Sequence, residues 1–235
     1  MTFSMRRSIA ILQKDYKDLS KNLFVSSSAL MPLILAAIYG RLGVETINEH
    51  YMVFNMVLCL VAAYVQCSLI AEEKEKNTLR GLMLSPATTF EIIIGKSLLS
   101  FIGTILIVVV AALLTGYAPE NLAVVSIAIV LSTFFYIGLG TLLGLITKTI
   151  MEASIIILPF MCIFSFGDFL LPLSDTYPII GVLEYFPNSQ LIQLANEVQT
   201  GAGMIDVINN IIVIFIWIVA IFSLVTVLYR KRMID

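Results

Sequence analysis

Residues 94–97 read IGKS, a pattern that could bind nucleotide phosphates. It resembles the end of a P-loop, in which glycine-rich backbone amides and a lysine surround the phosphate groups. The complete pattern requires a second glycine five residues before Gly95, and Phe90 occupies that position. The sequence therefore predicts that this segment neither binds nor hydrolyses ATP.

Glu72 and Glu73 form an acidic pair beside a long apolar segment, which could belong to a hydrolytic site. One class of intramembrane protease carries the motif EExxxR, but Asn77 occupies the arginine position here. The only histidine, His50, is distant, whereas zinc sites need several nitrogen or sulfur ligands. No G-x-S-x-G or CxxC motif occurs. We therefore predict that the chain is not an enzyme and holds no metal or cofactor.

The composition is that of a membrane protein. Of 235 residues, 59% are hydrophobic and only 13% are charged, whereas soluble domains carry about 25% charged residues. A helix needs about 20 apolar residues to cross a bilayer. Six segments qualify: 23–40, 51–71, 90–115, 121–146, 151–171 and 208–229. The sequence predicts an all-α integral membrane protein with six transmembrane helices.

The basic residues predict the orientation of these spans, because lysine and arginine are in excess on cytoplasmic flanks. They occur before the first span, in the 71–96 region, near residue 148 and at the C-terminus. Of the 14 lysines and arginines, only Arg41 falls on the other side. We therefore predict a multi-pass protein of the bacterial cell membrane with both termini in the cytoplasm.

An amphipathic helix is predicted before the first span, over residues 5–21. The apolar residues that repeat at helical spacing are Met5, Ile9, Leu12, Tyr16 and Leu19. Lysines and arginines occupy the face between them. A basic amphipathic helix of this kind can lie on the inner leaflet of a membrane.

The largest segment between spans, residues 172–207, is predicted on the outer side. It contains prolines and no basic residue, yet it is apolar. We expect Asn188 to cap a short helix that ends at Gly201. The segment is predicted to be interfacial or re-entrant, since irregular backbone within a membrane requires protein or water around it.

Several residues inside the spans are candidates for a transport pathway or for helix packing. Gln66 either lines an interior path or bonds to a neighbouring helix, and Glu152 and Asp168 lie near the two ends of the fifth span. Charged residues within membranes are often functional, although both carboxylates can reach an interface. Gly140 and Gly144 form a small-xxx-small pair, which suits either packing within one subunit or dimerisation.

A charged stretch, AEEKEKNTLRGLMLSPATT at residues 71–89, interrupts the apolar sequence between the second and third spans. Glu72 and Lys76 can pair along a helix. Apolar residues follow at helical spacing: Leu79, Leu82 and Met83. This pattern predicts a short amphipathic helix over residues 72–84.

The end of this predicted helix is marked by Ser85 and Pro86, because the residue before proline disfavours the α conformation. Thr88 and Glu91 then form a capping box that starts the third span. A solvated loop is the alternative interpretation. The apolar patch and the capped restart favour a helix that docks onto a partner.

The segment EEKEKNTLRGLMLSPATTFEIIIGK resembles the characteristic stretch of the ABC-2 type permeases, the membrane subunits of one class of ATP-binding cassette exporter. The matching positions are Glu72, Glu73, Thr78, Leu79, Leu82, Ser85, Pro86, Glu91 and Lys96. The N-terminal amphipathic helix, the six spans and the PNSQLIQLANEV helix of the outer segment are also similar. The resemblance is specific over 72–97 and architectural elsewhere, and it implies one transmembrane permease domain over residues 1–235.

The resemblance implies partner proteins, including one that binds the ATP and Mg for which this chain has no predicted site. Two permease subunits, identical or related, would assemble with two copies of a separate ATPase that binds ATP and Mg. The helix over 72–84 would be a cytoplasmic coupling helix that transmits ATPase closure, with residues 5–21 as a second contact. The implied interface residues are Glu72, Glu73, Glu75, Thr78, Leu79, Arg80, Leu82, Met83, Ser85 and Pro86. Membrane lipids are the other expected partner, and no nucleic acid is expected.

The function predicted from the sequence is export of a hydrophobic or amphipathic cargo, with a peptide or toxin favoured. Two observations favour such a cargo: an apolar wall rich in Phe and Met, and an expected absence of buried cationic residues. Within the family, the export system for phenol-soluble modulins is one candidate. The alternatives are a permease for drugs, lipids or lipid-linked polymers, and a non-transporting scaffold for a cytoplasmic partner.

Overall fold

The computed structural model describes residues 5–43, 46–76, 78, 89–201 and 203–234, and every regular element among them is helical. Six helical segments are long and apolar enough to cross a membrane. They are Val25–Leu42, Ile47–Glu75, Ile94–Thr115, Leu122–Ile146, Ile150–Leu173 and Ile205–Tyr229. The predicted all-α, six-span membrane protein is confirmed.

The helices are numbered here in chain order. The N-terminal part contains α1 (Met5–Lys21), α2 (Leu23–Ser28) and α3 (Leu30–Leu42). The second span consists of α4 (Ile47–Val57), a π-helical segment (Leu58–Tyr64) and α5 (Val65–Glu75). The following helices are α6 (Thr89–Thr115), α7 (Leu122–Ile146), α8 (Ile150–Phe166), α9 (Pro187–Thr200) and α10 (Met204–Ile234). Two 3-10 segments, Gly167–Leu173 and Pro178–Tyr185, lie between α8 and α9.

The second span is the centre of the bundle. Its most apolar window is 100% buried, whereas only 17% of the corresponding window is buried in the first and last spans. Helices α3, α6, α7, α8 and α9 all contact it. The outer helices therefore expose apolar faces, as expected for surfaces that meet lipid or a second subunit.

Two ends of the bundle are distinguished below. The basic end contains α1, the end of α5 and the start of α6, together with Lys14, Lys74 and Lys96. The opposite end contains the two 3-10 segments and the start of α9. The predicted orientation would place the basic end in the cytoplasm.

Helix α7 lies against the second span through its glycines. A Cβ atom added to Gly140 would overlap the backbone carbonyl of Ala63, and one added to Gly144 would lie 2.8 Å from Cβ of Ile70. Both glycines are thus required for close approach of the two spans. The small-xxx-small pair packs inside the subunit, which resolves the alternative left open by the sequence.

Helix α1 has the predicted bounds, but it packs on α6 through an unexpected face. Its buried residues are Ser8, Ile11 and Asp15. Met5 and Tyr16, on the predicted apolar face, are 65% and 62% exposed. The helix therefore has separate buried and apolar faces, and its placement at the membrane surface stays a prediction.

The outer helix, α9, begins two residues earlier than predicted, because Phe186 rather than Asn188 is its N-cap. Pro187 is its first residue, and Asn188 lies inside the first turn rather than at the N-cap. Proline suits a first helical position, because it lacks the N–H that would have no partner there. The predicted end is observed: Gly201 follows α9 in the left-handed conformation with φ of 68°.

The second span is longer than predicted. The predicted span ended at residue 71, with a separate helix starting at 72, whereas α5 continues without a break to Glu75. Glu73 and Lys74 bond to neighbouring helices, so the charged residues belong to the bundle rather than to a free-standing helix. Residues 77 and 79–88 hold the rest of the predicted coupling helix, its Ser85–Pro86 stop and Thr88, and they lie outside the described residues.

Candidate functional site

Glu73 lies at the centre of a group of charged residues at the basic end. Its side chain is almost entirely buried, with the residue 3% exposed. The carboxylate accepts hydrogen bonds from Nζ of Lys96 at 3.1 Å, from Nζ of Lys14 and from the hydroxyl of Thr78. Two lysines that are distant in sequence thus converge with the nearby Thr78 on one carboxylate.

Lys96 joins this carboxylate to a second one. Its Nζ atom lies 3.3 and 3.4 Å from the two carboxylate oxygens of Asp15. Lys96 and Asp15 are buried, at 3% and 1% exposure, whereas the side chain of Lys14 is 43% exposed. We call Lys14, Asp15, Glu73 and Lys96 the charged cluster.

The charged cluster connects three helices: α1, α5 and α6. Its two carboxylates and two ammonium groups balance in charge, as buried ions must be paired to be tolerated. Burial raises the pKa of the Asp15 carboxyl, while the charges of Lys96 and Lys14 act in the opposite direction. The cluster therefore holds α1 against the core by interactions that depend on all of its members.

The end of α5 is also bonded to α7 and α8. Nζ of Lys74 donates hydrogen bonds to the carbonyls of Gly144 at 3.3 Å, Leu145 at 2.8 Å and Thr147, at the C-terminus of α7. The carboxylate of Glu75 accepts one from the backbone N–H of Ile150 at 3.0 Å, at the start of α8. Each charge matches the sign of the helix dipole that it contacts. Five helices therefore meet at the last turn of α5.

A crevice of about 190 Å³ lies between α1 and α5, next to the charged cluster. It is lined by Lys14, Asp15, Asp18, Leu69, Glu72, Glu73, Lys76 and Thr78. Glu72 and Lys76 form the predicted ion pair along the helix. The crevice opens beside the segment that the family resemblance assigns to ATPase contact.

The predicted interface residues divide into three groups. Glu73 and Thr78 are bonded to each other within the charged cluster, so Glu73 is engaged inside the protein. Glu72 forms its ion pair with Lys76, and Glu75 caps α8. The remaining predicted residues lie outside the described part of the chain: Leu79, Arg80, Leu82, Met83, Ser85 and Pro86.

Gln66 bonds to neighbouring helices, one of the two alternatives left open by the sequence. Its side-chain oxygen accepts a hydrogen bond from the hydroxyl of Ser100 at 2.9 Å. Its side-chain nitrogen donates to Thr141 at 3.2 Å and to Ser97 at 3.5 Å. Gln66 is 1% exposed and links the second span to α6 and α7.

The two carboxylates of the fifth span have different environments. Glu152 is exposed, and it accepts a hydrogen bond from the backbone N–H of Lys148 at 2.6 Å, so it caps the start of α8. Asp168 lies at the opposite end and bonds to Asn188 at 3.2 Å. Asp168 is thus partly enclosed by protein, and its position at a membrane interface stays a prediction.

The sequence did not reveal the partners of Glu73. Asp15 and Lys96 are separated by 81 positions along the chain. Gly95 permits their contact, because a Cβ atom there would lie 2.9 Å from Cβ of Ile11 in α1. The IGKS segment therefore provides a helix contact and an ion-pair lysine, within a continuous helix. The only signal in the sequence for this contact was the position of Asp15, which lies outside both the apolar and the basic faces of α1.

Lys96 also corrects one expectation from the sequence. An absence of buried cationic residues was expected, yet Lys96 is 3% exposed. Its charge is tolerated because Asp15 and Glu73 surround it. The absence of buried cations therefore cannot serve as an indicator of the cargo.

Comparison with known proteins identifies the family. A family model described as ABC-2 family transporter protein matches residues 10–227. A search of curated proteins finds no match. The matched region includes the first five apolar spans, nearly all of the sixth, and all four members of the charged cluster. The chain therefore belongs to the ABC-2 transporter family, and is a multi-pass membrane subunit of a kind that functions with an ATPase.

Proposed function

We propose that this chain is the permease of an ATP-driven exporter for a hydrophobic or amphipathic peptide or toxin. A separate ATPase in two copies binds ATP and Mg, and a second permease subunit completes the transport path. The chain itself performs no catalysis. Its task is to convert ATPase closure into a rearrangement of the membrane helices.

The charged cluster is the observation that carries this proposal. Glu73 lies near the end of α5, within the first turn of the 72–84 segment that the family resemblance assigns to ATPase contact, and Lys96 lies near the start of α6, after that segment. Their 3.1 Å contact joins the two helices at the base of that segment. A force applied to the segment therefore acts on α5, α6 and α1 together.

The other contacts of α5 extend this connection to the remaining spans. Lys74 bonds to the end of α7 and Glu75 to the start of α8. Because α5 continues the buried second span, a displacement at its last turn moves the centre of the bundle. The basic end thus has the connectivity expected of a force-transmitting joint.

The nature of the cargo is supported by the surfaces of the outer spans. Large apolar side chains are exposed along α3, α6, α8 and α10. The described examples include Ile34, Leu106, Ile155 and Phe215. The charge of Lys96 is neutralised by two carboxylates, so this lysine does not select an anionic cargo. An apolar path of this kind suits an amphipathic peptide better than a polar solute.

The proposal is tested by ATP-dependent transport of a labelled amphipathic peptide into vesicles that contain the permease and its ATPase. We expect Leu82→Asp to abolish both ATPase assembly and transport, because a charge is placed in the predicted apolar contact. Leu122→Asp is the matched control, since Leu122 is 68% exposed at the start of α7 and Asp suits a helix N-terminus.

Two outcomes would contradict the proposal. If Leu82→Asp leaves assembly and transport intact, residues 72–84 do not couple the permease to an ATPase. If the wild-type chain binds the ATPase but no cargo tested crosses the membrane in an ATP-dependent way, the scaffold alternative is supported instead.

A further inference from the structure

Asp168 lies at the opposite end, where α8 changes into a 3-10 segment after Phe166. Its carboxylate accepts a hydrogen bond from Nδ2 of Asn188 at 3.2 Å and another from the hydroxyl of Ser189. Asn188 and Ser189 are each 1% exposed. The carboxylate is therefore held in place by two buried side chains from another helix.

The surroundings support the negative charge of Asp168 without neutralising it. Both donors lie in the first turn of α9, whose positive dipole end favours a nearby anion. None of the described ion pairs includes Asp168. Arg41 is the only lysine or arginine that the sequence assigns to this side of the membrane.

Three buried oxygen atoms of Asn188, α7 and α8 have no hydrogen-bond partner among the described residues. They are Oδ1 of Asn188, Oγ of Ser165 and the hydroxyl of Tyr136. The residues that carry them are 1%, 3% and 0% exposed, respectively. Buried polar atoms are nearly always bonded, so such a group of oxygens indicates a site for a ligand.

Chain position and contacts relate these residues to one another. Oδ1 of Asn188 belongs to the amide that already bonds to Asp168. Ser165 lies in the last turn of α8, three positions before Asp168. The ring of Tyr136 is centred 5.6 Å from that of Phe164, the residue before Ser165 in α8.

The chemistry of these groups selects a small cation. A carboxylate, an amide oxygen and two hydroxyls are hard oxygen donors, which bind alkali ions and accept hydrogen bonds from ammonium groups. A single carboxylate matches one positive charge, whereas Ca²⁺ sites usually contain several carboxylates. Interrupted helices provide ion sites in other membrane transporters, and α8 is interrupted at this position.

We propose that Asp168, Asn188, Ser165 and Tyr136 form a binding site for a small monovalent cation. The cation is an alkali metal ion or the primary ammonium group of a transported molecule. This proposal does not depend on the peptide cargo or on the ATPase, because it concerns binding to the isolated permease.

The test is the thermal midpoint of the purified full-length permease in four chloride salts at constant ionic strength: sodium, potassium, methylammonium and choline. Choline carries the same charge but has no N–H group and is too large for the site. We expect a bound cation to raise the midpoint by about 3–6 °C relative to choline at about ten times its dissociation constant. A rise with sodium or potassium identifies a metal ion, and a rise with methylammonium alone identifies an ammonium site.

Asp168→Asn keeps the shape of the side chain and is expected to abolish the shift. Ser165→Ala removes only one oxygen and should weaken cation binding several-fold. This milder variant keeps the test decisive if Asp168→Asn does not fold. Asp175→Asn is the matched control, since Asp175 is an exposed acid of the same outer region. Equal midpoints in all four salts, or a shift that persists in Asp168→Asn, would overturn the proposal.

Discussion

Carboxylates bonded to other helices occur at both ends of this bundle, but Asp15 and Glu73 are buried whereas Asp168 is half-buried, and their partners differ. At the basic end, Asp15 and Glu73 contact Lys96 at 3.3 and 3.1 Å. At the opposite end, Asp168 contacts the neutral side chains of Asn188 and Ser189. The first arrangement is complete within the chain, whereas the second leaves buried oxygens without a partner among the described residues.

The difference between the two ends indicates two kinds of role. Charges that are paired within the protein fix helices relative to one another, and their removal leaves a buried ion. A carboxylate supported by neutral donors keeps a net negative charge that can attract a cation. The basic end is thus suited to transmitting force, and the opposite end to binding a ligand.

The largest expected effect is that of Lys96→Met. The substitution leaves two buried carboxylates without their shared cation, so we expect a loss of about 3–5 kcal/mol. This corresponds to a fall of about 6–20 °C in the thermal midpoint of the purified permease. Lys17→Met, which removes an exposed lysine of α1, is the control and should change the midpoint little. Equal midpoints for the two variants would show that the charged cluster does not hold α1.

A smaller loss is expected for Lys74→Met. This change removes hydrogen bonds from Nζ of Lys74 to neutral carbonyl groups at the end of α7. We expect a loss of about 1–2 kcal/mol in thermal unfolding. Lys148→Met changes an exposed lysine in the neighbouring turn and should be close to neutral. A loss of stability as large as that of Lys96→Met would contradict this ranking and show that Lys74 and Lys96 contribute equally to the stability of the basic end.

At the opposite end, Asp168→Asn should cost little when measured in choline chloride. The change weakens the bonds to Asn188 and Ser189, but it also removes an unneutralised charge, so the net effect should stay within about 1 kcal/mol. Thermal unfolding of Asp168→Asn and Lys96→Met, measured under the same conditions, provides the comparison. If both variants lose the same stability, Asp168 is a structural residue like Glu73, and the contrast between the ends fails.

The smallest effect is expected for Tyr136→Phe. The hydroxyl has no described partner, and the ring contacts with Phe164 remain, so stability in choline chloride should change by less than about 0.5 kcal/mol. Tyr51→Phe is the matched control, because its hydroxyl lies 3.0 Å from that of Tyr117, and its loss should cost about 1 kcal/mol. Thermal unfolding of both variants checks the pair, and a larger loss for Tyr136→Phe would show that its hydroxyl is already bonded within the protein.

The elements that the sequence predicted well are those with a local signal. Apolar run length predicted the six spans, and the spacing of apolar residues predicted both ends of α1. Gly201 ends α9 as expected, because glycine adopts the left-handed conformation without steric cost. The start of α9 was misplaced, because Asn188 is a good cap only when its side chain is not required elsewhere, and here it bonds to Asp168.

The candidate sites were predicted only in part, because their residues are distant in sequence. Glu73 was recognised as part of a charged stretch, but its burial beside Lys14 and Lys96 depends on how α1 lies across α6. Ser165 and Tyr136 carried no signal, since hydroxyls in apolar helices are common and usually bond to their own backbone. The packing of the helices against one another decides which of these hydroxyls are buried without a hydrogen-bond partner.

The sequence alone determined that this chain resides in a membrane, that it crosses it six times and that it lacks the motifs of an ATPase. These properties follow from composition, run length and spacing, which are local. The tertiary structure alone decided that Lys96 is neutralised by Asp15 and Glu73, while Asp168 is left with neutral partners. The free energy of a charge in a protein depends on its burial and on its neighbours in space, and neither is encoded at a single position.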